Sequence, residues 1–124
     1  MSGRLPLALA WAALAAMPAL SQQPCESLTG LALPNITISE AVSVPAGKFT
    51  PPGLAQAADV PAFCRVKGVI APEVKFELWM PAQWNRKLLA VGNGGLAGSI
   101  NYRQMLEPLQ RGYATSSTDT GHEG

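Results

Sequence analysis

The sequence predicts an α/β fold: a mixed β-sheet with at least one crossover helix, preceded by an irregular arm. Three observations lead there. Four short apolar or alternating stretches read as strands, at 64–70, 74–80, 87–91 and 113–118. A glycine-rich loop and a helical pattern lie between the last two. Residues 22–63 are broken by Pro34, Pro45, Pro51, Pro52 and Pro61, so no long helix can run through them.

The arm is expected to hold strand pieces at 36–40 and 41–44, where Ile36, Ile38, Val42 and Val44 supply β-branched residues. Cys64-Arg65-Val66-Lys67-Gly68-Val69-Ile70 alternates apolar and basic residues, as a half-exposed strand does. In the next stretch Val74, Phe76, Leu78 and Met80 share one face, and Pro81 ends the run. Lys87-Leu88-Leu89-Ala90-Val91 is continuously apolar after its lysine, the pattern of a strand buried on both faces. With 74–80 it is expected to form an antiparallel hairpin. Ser99 is the expected helix N-cap, and Tyr102, Met105, Leu106 and Leu109 follow at helical spacing. Gly112 is the expected stop. Pro108 should bend or break the helix, because proline in a helix interior costs about 3 kcal/mol. A strand, a helix and a strand in succession normally give a parallel pair with a right-handed crossover. An antiparallel pair followed by such a unit is how α/β-hydrolase sheets begin.

Length and composition narrow the functional classes. A chain of 124 residues has room for one small domain, and 48% hydrophobic residues do not suggest disorder. Arg4 is the only charge before Glu26, and the apolar run from Leu5 to Ala16 follows it. Small residues at Ala19 and Ser21 complete the pattern of a secretory signal peptide over 1–21, cleaved after Ser21. The competing reading is an uncleaved anchor, but the run is short for a span of about 20 residues. The rest of the chain has no net charge, which gives no electrostatic case for nucleic acid or an anionic membrane. A secreted or periplasmic location follows, with no membrane contact once the leader is gone.

Cys25 and Cys64 are the two cysteines, and in an oxidising compartment an even count suggests a bridge. Separate thiols, or bridges to cysteines elsewhere, stay open on this ground alone. With one histidine and no Cys-x-x-Cys, no metal site is expected. Asn35-Ile36-Thr37 is a glycosylation sequon, which matters only in a host that glycosylates.

The chemistry-bearing stretch is Gly92-Asn93-Gly94-Gly95-Leu96-Ala97-Gly98, at the carboxyl end of a strand and before a helix. Sites in open α/β sheets lie there. Three readings compete. Backbone N–H groups in such a loop can form an oxyanion hole for acyl transfer, where one lost donor costs about 3–4 kcal/mol. Gly92-x-Gly94-x-x-Ala97 also satisfies a dinucleotide fingerprint, with Asp119 placed to bind a ribose. Export, the late position in the chain and Pro108 count against that reading. The third reading is a plain tight turn. Ser116, Ser117, Asp119 and His122 imitate a triad, but they are too close in sequence to be one. Asp119 and His122 at a strand end are better suited to hold the neighbouring loop by hydrogen bonds. Trp79 and Trp84 could stack an aromatic ligand, although core or turn packing is the commoner use.

Six segments in order carry a resemblance. They are Pro61-Ala62-Phe63-Cys64-Arg65-Val66, Phe76-Glu77-Leu78-Trp79-Met80-Pro81, Trp84-Asn85, Gly92-Asn93-Gly94-Gly95, Arg111-Gly112-Tyr113-Ala114-Thr115 and Ser117-Thr118-Asp119-Thr120-Gly121-His122. Together they resemble the tannase and feruloyl esterase family of secreted serine esterases, which includes mono(hydroxyethyl) terephthalate hydrolases. Cys25-Glu26-Ser27-Leu28 resembles the start of the same family.

The resemblance implies an α/β-hydrolase core starting at 64, an irregular arm over 22–63, and a Cys25–Cys64 disulfide. It implies esters of aromatic acids, such as gallic or hydroxycinnamic acids, as substrates. Gly95 becomes the expected oxyanion donor, with Gly94 beside it. The family's Cys-Ser-x-Gly-Gly nucleophile motif is absent from these residues, as is Gly-x-Ser-x-Gly. The triad and the lid are therefore expected outside this chain, with calcium in the lid and no cofactor here. The chain reads as an N-terminal fragment, inactive by itself and marginally stable.

Overall fold

The computed structural model describes residues 2–4, 23–96 and 98–123. The apolar run of the expected signal peptide, its cleavage point and Ala97 of the dinucleotide pattern lie outside the described residues.

Among the described residues, seven strands and one helix follow a short 3-10 helix at Cys25–Gly30: β1 (Ile36–Val44), β2 (Gly47–Phe49), β3 (Ala58–Val60), β4 (Phe63–Ile70), β5 (Val74–Pro81), β6 (Leu88–Ala90), α1 (Tyr102–Gln110) and β7 (Ala114–Thr118). Five strands form one mixed sheet in the order β1-β4-β5-β7-β6, while β2 and β3 pair separately. β6 and β7 are parallel, with α1 connecting them, as the strand–helix–strand pattern predicts.

The arm is more regular than its prolines suggest. The two expected pieces form one nine-residue strand, β1, interrupted only by a register shift between Ile38 and Glu40. It pairs antiparallel with β4 along its length, so the arm supplies one edge of the main sheet. Cys25 and Cys64 are bonded, with Cα atoms 5.6 Å apart, which ties the 3-10 helix to β4. Closing that loop stabilises by roughly 3–4 kcal/mol in the chain-entropy account.

Three expectations are corrected. The strands at 74–80 and 87–91 do not form a hairpin, because β7 lies between β5 and β6. The link from β5 to β6 is too long for a tight turn. Asn85 donates its backbone N–H to the Gly112 carbonyl at 2.9 Å and its side-chain amide to that of Arg111 at 3.1 Å. The link is thereby led past the entrance of β7, whose two sides then pair with β5 and β6.

β6 is also not buried on both faces. It is the sheet's last described strand, and Leu88 remains 60% exposed. Finally, Asn101 rather than Ser99 caps α1, its Oδ1 accepting the N–H of Gln104 at 3.2 Å. The helix runs past Pro108 to Gln110. Pro108 stands near its end, is buried, and offers its carbonyl to Arg111 and Tyr113. Gly112, at φ 83°, ends the helix as expected.

The core lies between α1 and one face of the sheet. Val60, Phe63, Trp79, Met105 and Leu109 form it, with Phe49 standing edge-on to both Phe63 and Trp79. Strand alternation places Glu77 beside Trp79 on this face, and both are buried, although Lys75 on the same face of β5 is exposed. Leu78 and Met80 point the other way, into an open apolar groove of about 720 Å³ shared with Trp84 and Leu88. Among the described residues no helix is long and apolar enough to cross a membrane.

Candidate functional site

The glycine loop leaves β6 at its carboxyl end and runs to the start of α1. Its entrance is fixed twice against β7: Val91 N–H donates to the Ser116 carbonyl at 2.8 Å, and the Asn93 amide donates to that of Thr118 at 2.9 Å. Its exit is fixed once, where the Asn101 N–H donates to Ser117 Oγ at 3.0 Å.

Gly94 and Gly95 lie at the exposed tip between these ties. No hydrogen bond joins either N–H to another described residue. Gly95 takes φ 59°, in the left-handed region that favours glycine. Gly94 also lines a cavity of about 610 Å³, bounded by Asn93, Ser99, Tyr102 and Arg103 and facing Leu54 across it. Adjacent N–H groups without a partner among the described residues, one of them beside an open cavity, can receive an anion or a developing oxyanion.

The helix that follows the loop is seated on a buried carboxylate. Glu77 is 1% exposed, and its oxygens accept from Arg65 Nε and Nη2 at 2.9 and 2.7 Å. They also accept from Trp79 Nε1 and the Tyr102 hydroxyl, both at 2.7 Å. Burial pushes the Glu77 pKa up, but the bonds from Arg65, Tyr102 and Trp79 and the Arg65 charge outweigh it. The carboxyl is held below its ordinary range. For Tyr102, burial and the bond to Glu77 raise the hydroxyl well above the usual tyrosine value. Sequence reasoning missed this network. Its only signal was Arg65 and Glu77 standing at alternating positions of neighbouring strands.

The triad-like residues do not make a triad. Ser117 Oγ is spent on Asn101, and Asp119 Oδ1 accepts the N–H groups of Lys75 and Gly121, each at 2.9 Å. His122 turns toward the loop, with Nε2 2.9 Å from the Leu96 carbonyl. Asp119 and His122 thus brace backbone, as the sequence suggests.

The same facts leave little for a dinucleotide. Asp119 is buried on those two N–H groups, and α1 begins at Tyr102, several residues after Gly95. Trp79 is a core residue, while Trp84 is 55% exposed and donates its indole N–H to the Lys87 carbonyl at 2.8 Å.

The chain is similar to known proteins in sequence and in overall structure. Residues 58–124 match the family described as tannase and feruloyl esterase. An uncharacterized esterase of Xanthomonas campestris pv. campestris is 50% identical over 79% of this chain and 18% of its own length. The mono(2-hydroxyethyl) terephthalate hydrolase of Piscinibacter sakaiensis is 35% identical over 86% of this chain and 21% of its own. The crystal structure of feruloyl esterase B from Aspergillus oryzae superposes with a TM-score of 0.68 at 28% identity, over 81% of this chain and 22% of that one. The chain therefore spans about a fifth of the length of the relatives it matches. By its family match and its likeness to these esterases, it belongs to the tannase and feruloyl esterase family.

Proposed function

We propose that this chain is the N-terminal part of a secreted or periplasmic serine carboxylesterase acting on esters of aromatic acids. Its five-stranded sheet is read as the beginning of an α/β-hydrolase core. Residues 1–21 are read as its signal peptide, and the nucleophile, acid and base as contributions from outside these residues. The observation that carries the reading is the pair of N–H groups at Gly94 and Gly95 that bond to no described residue, in a loop at a strand's carboxyl end in a family of esterases.

In this reading a serine attacks the ester carbonyl while a histidine takes its proton. The carbonyl oxygen becomes an oxyanion, which the Gly95 N–H stabilises from a position set before substrate arrives. Collapse expels the alcohol and leaves an acyl-serine, and water then releases the aromatic acid. The chain without its partner residues has no nucleophile and is expected to be inactive.

The test uses the protein expressed from its complete reading frame, assayed with methyl ferulate and methyl gallate. Replacing Gly95 by glycolic acid turns its N–H into an ester oxygen without adding a side chain. A loss of about 10²–10³-fold in kcat is expected. A loss under about threefold would remove Gly95 from the reaction, since a lost oxyanion donor costs far more. Gly95→Ala keeps the N–H, and a Cβ there meets nothing within 4 Å. It reports the backbone penalty alone.

A further inference from the structure

We propose that the Asp119–His122 turn is a strained clasp, and that His122 is a positioning residue for the glycine loop. The role rests on the oxyanion reading of that loop.

The loop's middle has little else to hold it. Leu96 is 92% exposed, so its side chain anchors nothing, and its carbonyl is the remaining handle. His122 Nε2 takes that handle at 2.9 Å. A carbonyl only accepts, so the ring carries a proton on Nε2, while Nδ1 faces the Thr120 hydroxyl at 3.2 Å. The next contact is steric. Gly98 is buried, and a Cβ on it would stand 1.9 Å from the His122 carbonyl oxygen. Only glycine allows the two backbones to meet there. His122 therefore meets the loop on both sides of residue 97, its ring bonded to Leu96 and its main chain packed against Gly98.

The turn that delivers His122 is built at a conformational cost. Thr120 is β-branched yet takes φ 60°, and Gly121 follows at φ 86°. A β-branched residue in this region is an outlier that persists only where its surroundings dictate it. Here Asp119 dictates it. Its buried carboxylate accepts the N–H of Lys75 from β5 and that of Gly121 from the turn. Asp119 N–H also donates to the Lys75 carbonyl at 3.0 Å. The sheet sets the turn, the turn aims His122, and His122 fixes the loop one residue after Gly95. Donors for an oxyanion are effective only when held in place beforehand.

The test compares His122→Ala, His122→Gln and Gly98→Ala with the wild type, all in the complete protein. Chymotrypsin cleavage after the exposed Leu96 reports loop release independently of chemistry. The expected result for His122→Ala is faster cleavage there and a kcat about 10–100-fold lower, with KM nearly unchanged. His122→Gln retains a side-chain N–H and should recover most of both losses. Gly98→Ala leaves the ring intact and should reproduce the defect from the loop side, which covers the case in which His122→Ala fails to fold.

Unchanged cleavage after Leu96 would overturn the clasp. Faster cleavage with unchanged kcat would overturn the positioning role. The glycolate replacement at Gly95 separates these failures from failure of the oxyanion reading. If that replacement is costly and His122→Ala is silent in both assays, only the clasp is wrong.

Discussion

The hydroxyl of Tyr102 donates to Oε1 of Glu77 at 2.7 Å, joining the first residue of α1 to the middle of β5. Arg65 reaches the same carboxylate from β4, and its guanidinium lies 5.9 Å from the Tyr102 ring centroid. One buried anion therefore gathers two strands and the helix that follows the glycine loop. A lone carboxylate would not stay ionised in such a place; four hydrogen bonds keep it so.

Truncating that anion should be costly. Glu77→Ala leaves the Arg65 guanidinium without its partner in a site where its side chain is 13% exposed. The expected loss is about 3–5 kcal/mol, the usual result of removing one member of a buried pair. It is read as a lower urea midpoint with an unchanged slope. Arg65→Met with Glu77→Met should lose much less, since neither charge is then stranded.

The same residues set the pH limits of stability. The Glu77 pKa is lowered on folding, so its contribution is complete above the unfolded carboxylate value of about 4.3 and is lost as pH falls through the folded value. The Tyr102 pKa is raised, so its contribution is complete below the unfolded value of about 10 and is lost as pH rises above it. Thermal midpoints should therefore decline below about pH 4 and above about pH 10. Tyr102→Phe should remove its part of the alkaline decline. An alkaline limb identical to wild type would show that Tyr102 does not contribute.

Thr115 offers a gain. It is fully buried on the α1 side of β7, and its Oγ1 has no hydrogen-bond partner among the described residues. Thr115→Val keeps the shape and removes the unpaired hydroxyl, so stability should rise by about 1 kcal/mol. A lowered melting temperature would mean that the hydroxyl has a partner in solution, such as a water.

Much of this architecture can be read from local pattern. Alternation located β4 and β5, and a proline and a glycine marked the ends of β5 and α1. The parallel pairing of β6 with β7 followed from the helix between them. The glycine loop was recognisable from its residue type alone, because glycine marks the places where a backbone takes conformations that side chains disfavour. These properties depend on neighbours in sequence, and the chain carries them before it folds.

The rest depends on residues far apart in sequence. Leu88-Leu89-Ala90 looked doubly buried because hydrophobicity reports what a strand can bury, not whether a neighbour covers it. The burial of Glu77 was not legible because alternation marks two faces of β5 without saying which one α1 will cover. The insertion of β7 between β5 and β6, the bonds from Arg65 and Tyr102 to Glu77 and the meeting of His122 with Leu96 each join segments separated by a dozen residues or more. Residue types and spacing thus located β1, β4, β5, β6, β7, the helix and the loop, but not the short pair β2 and β3. Only tertiary packing decided which groups the loop would lean on, because a hydrogen bond between distant residues exists only once the sheet has brought them together.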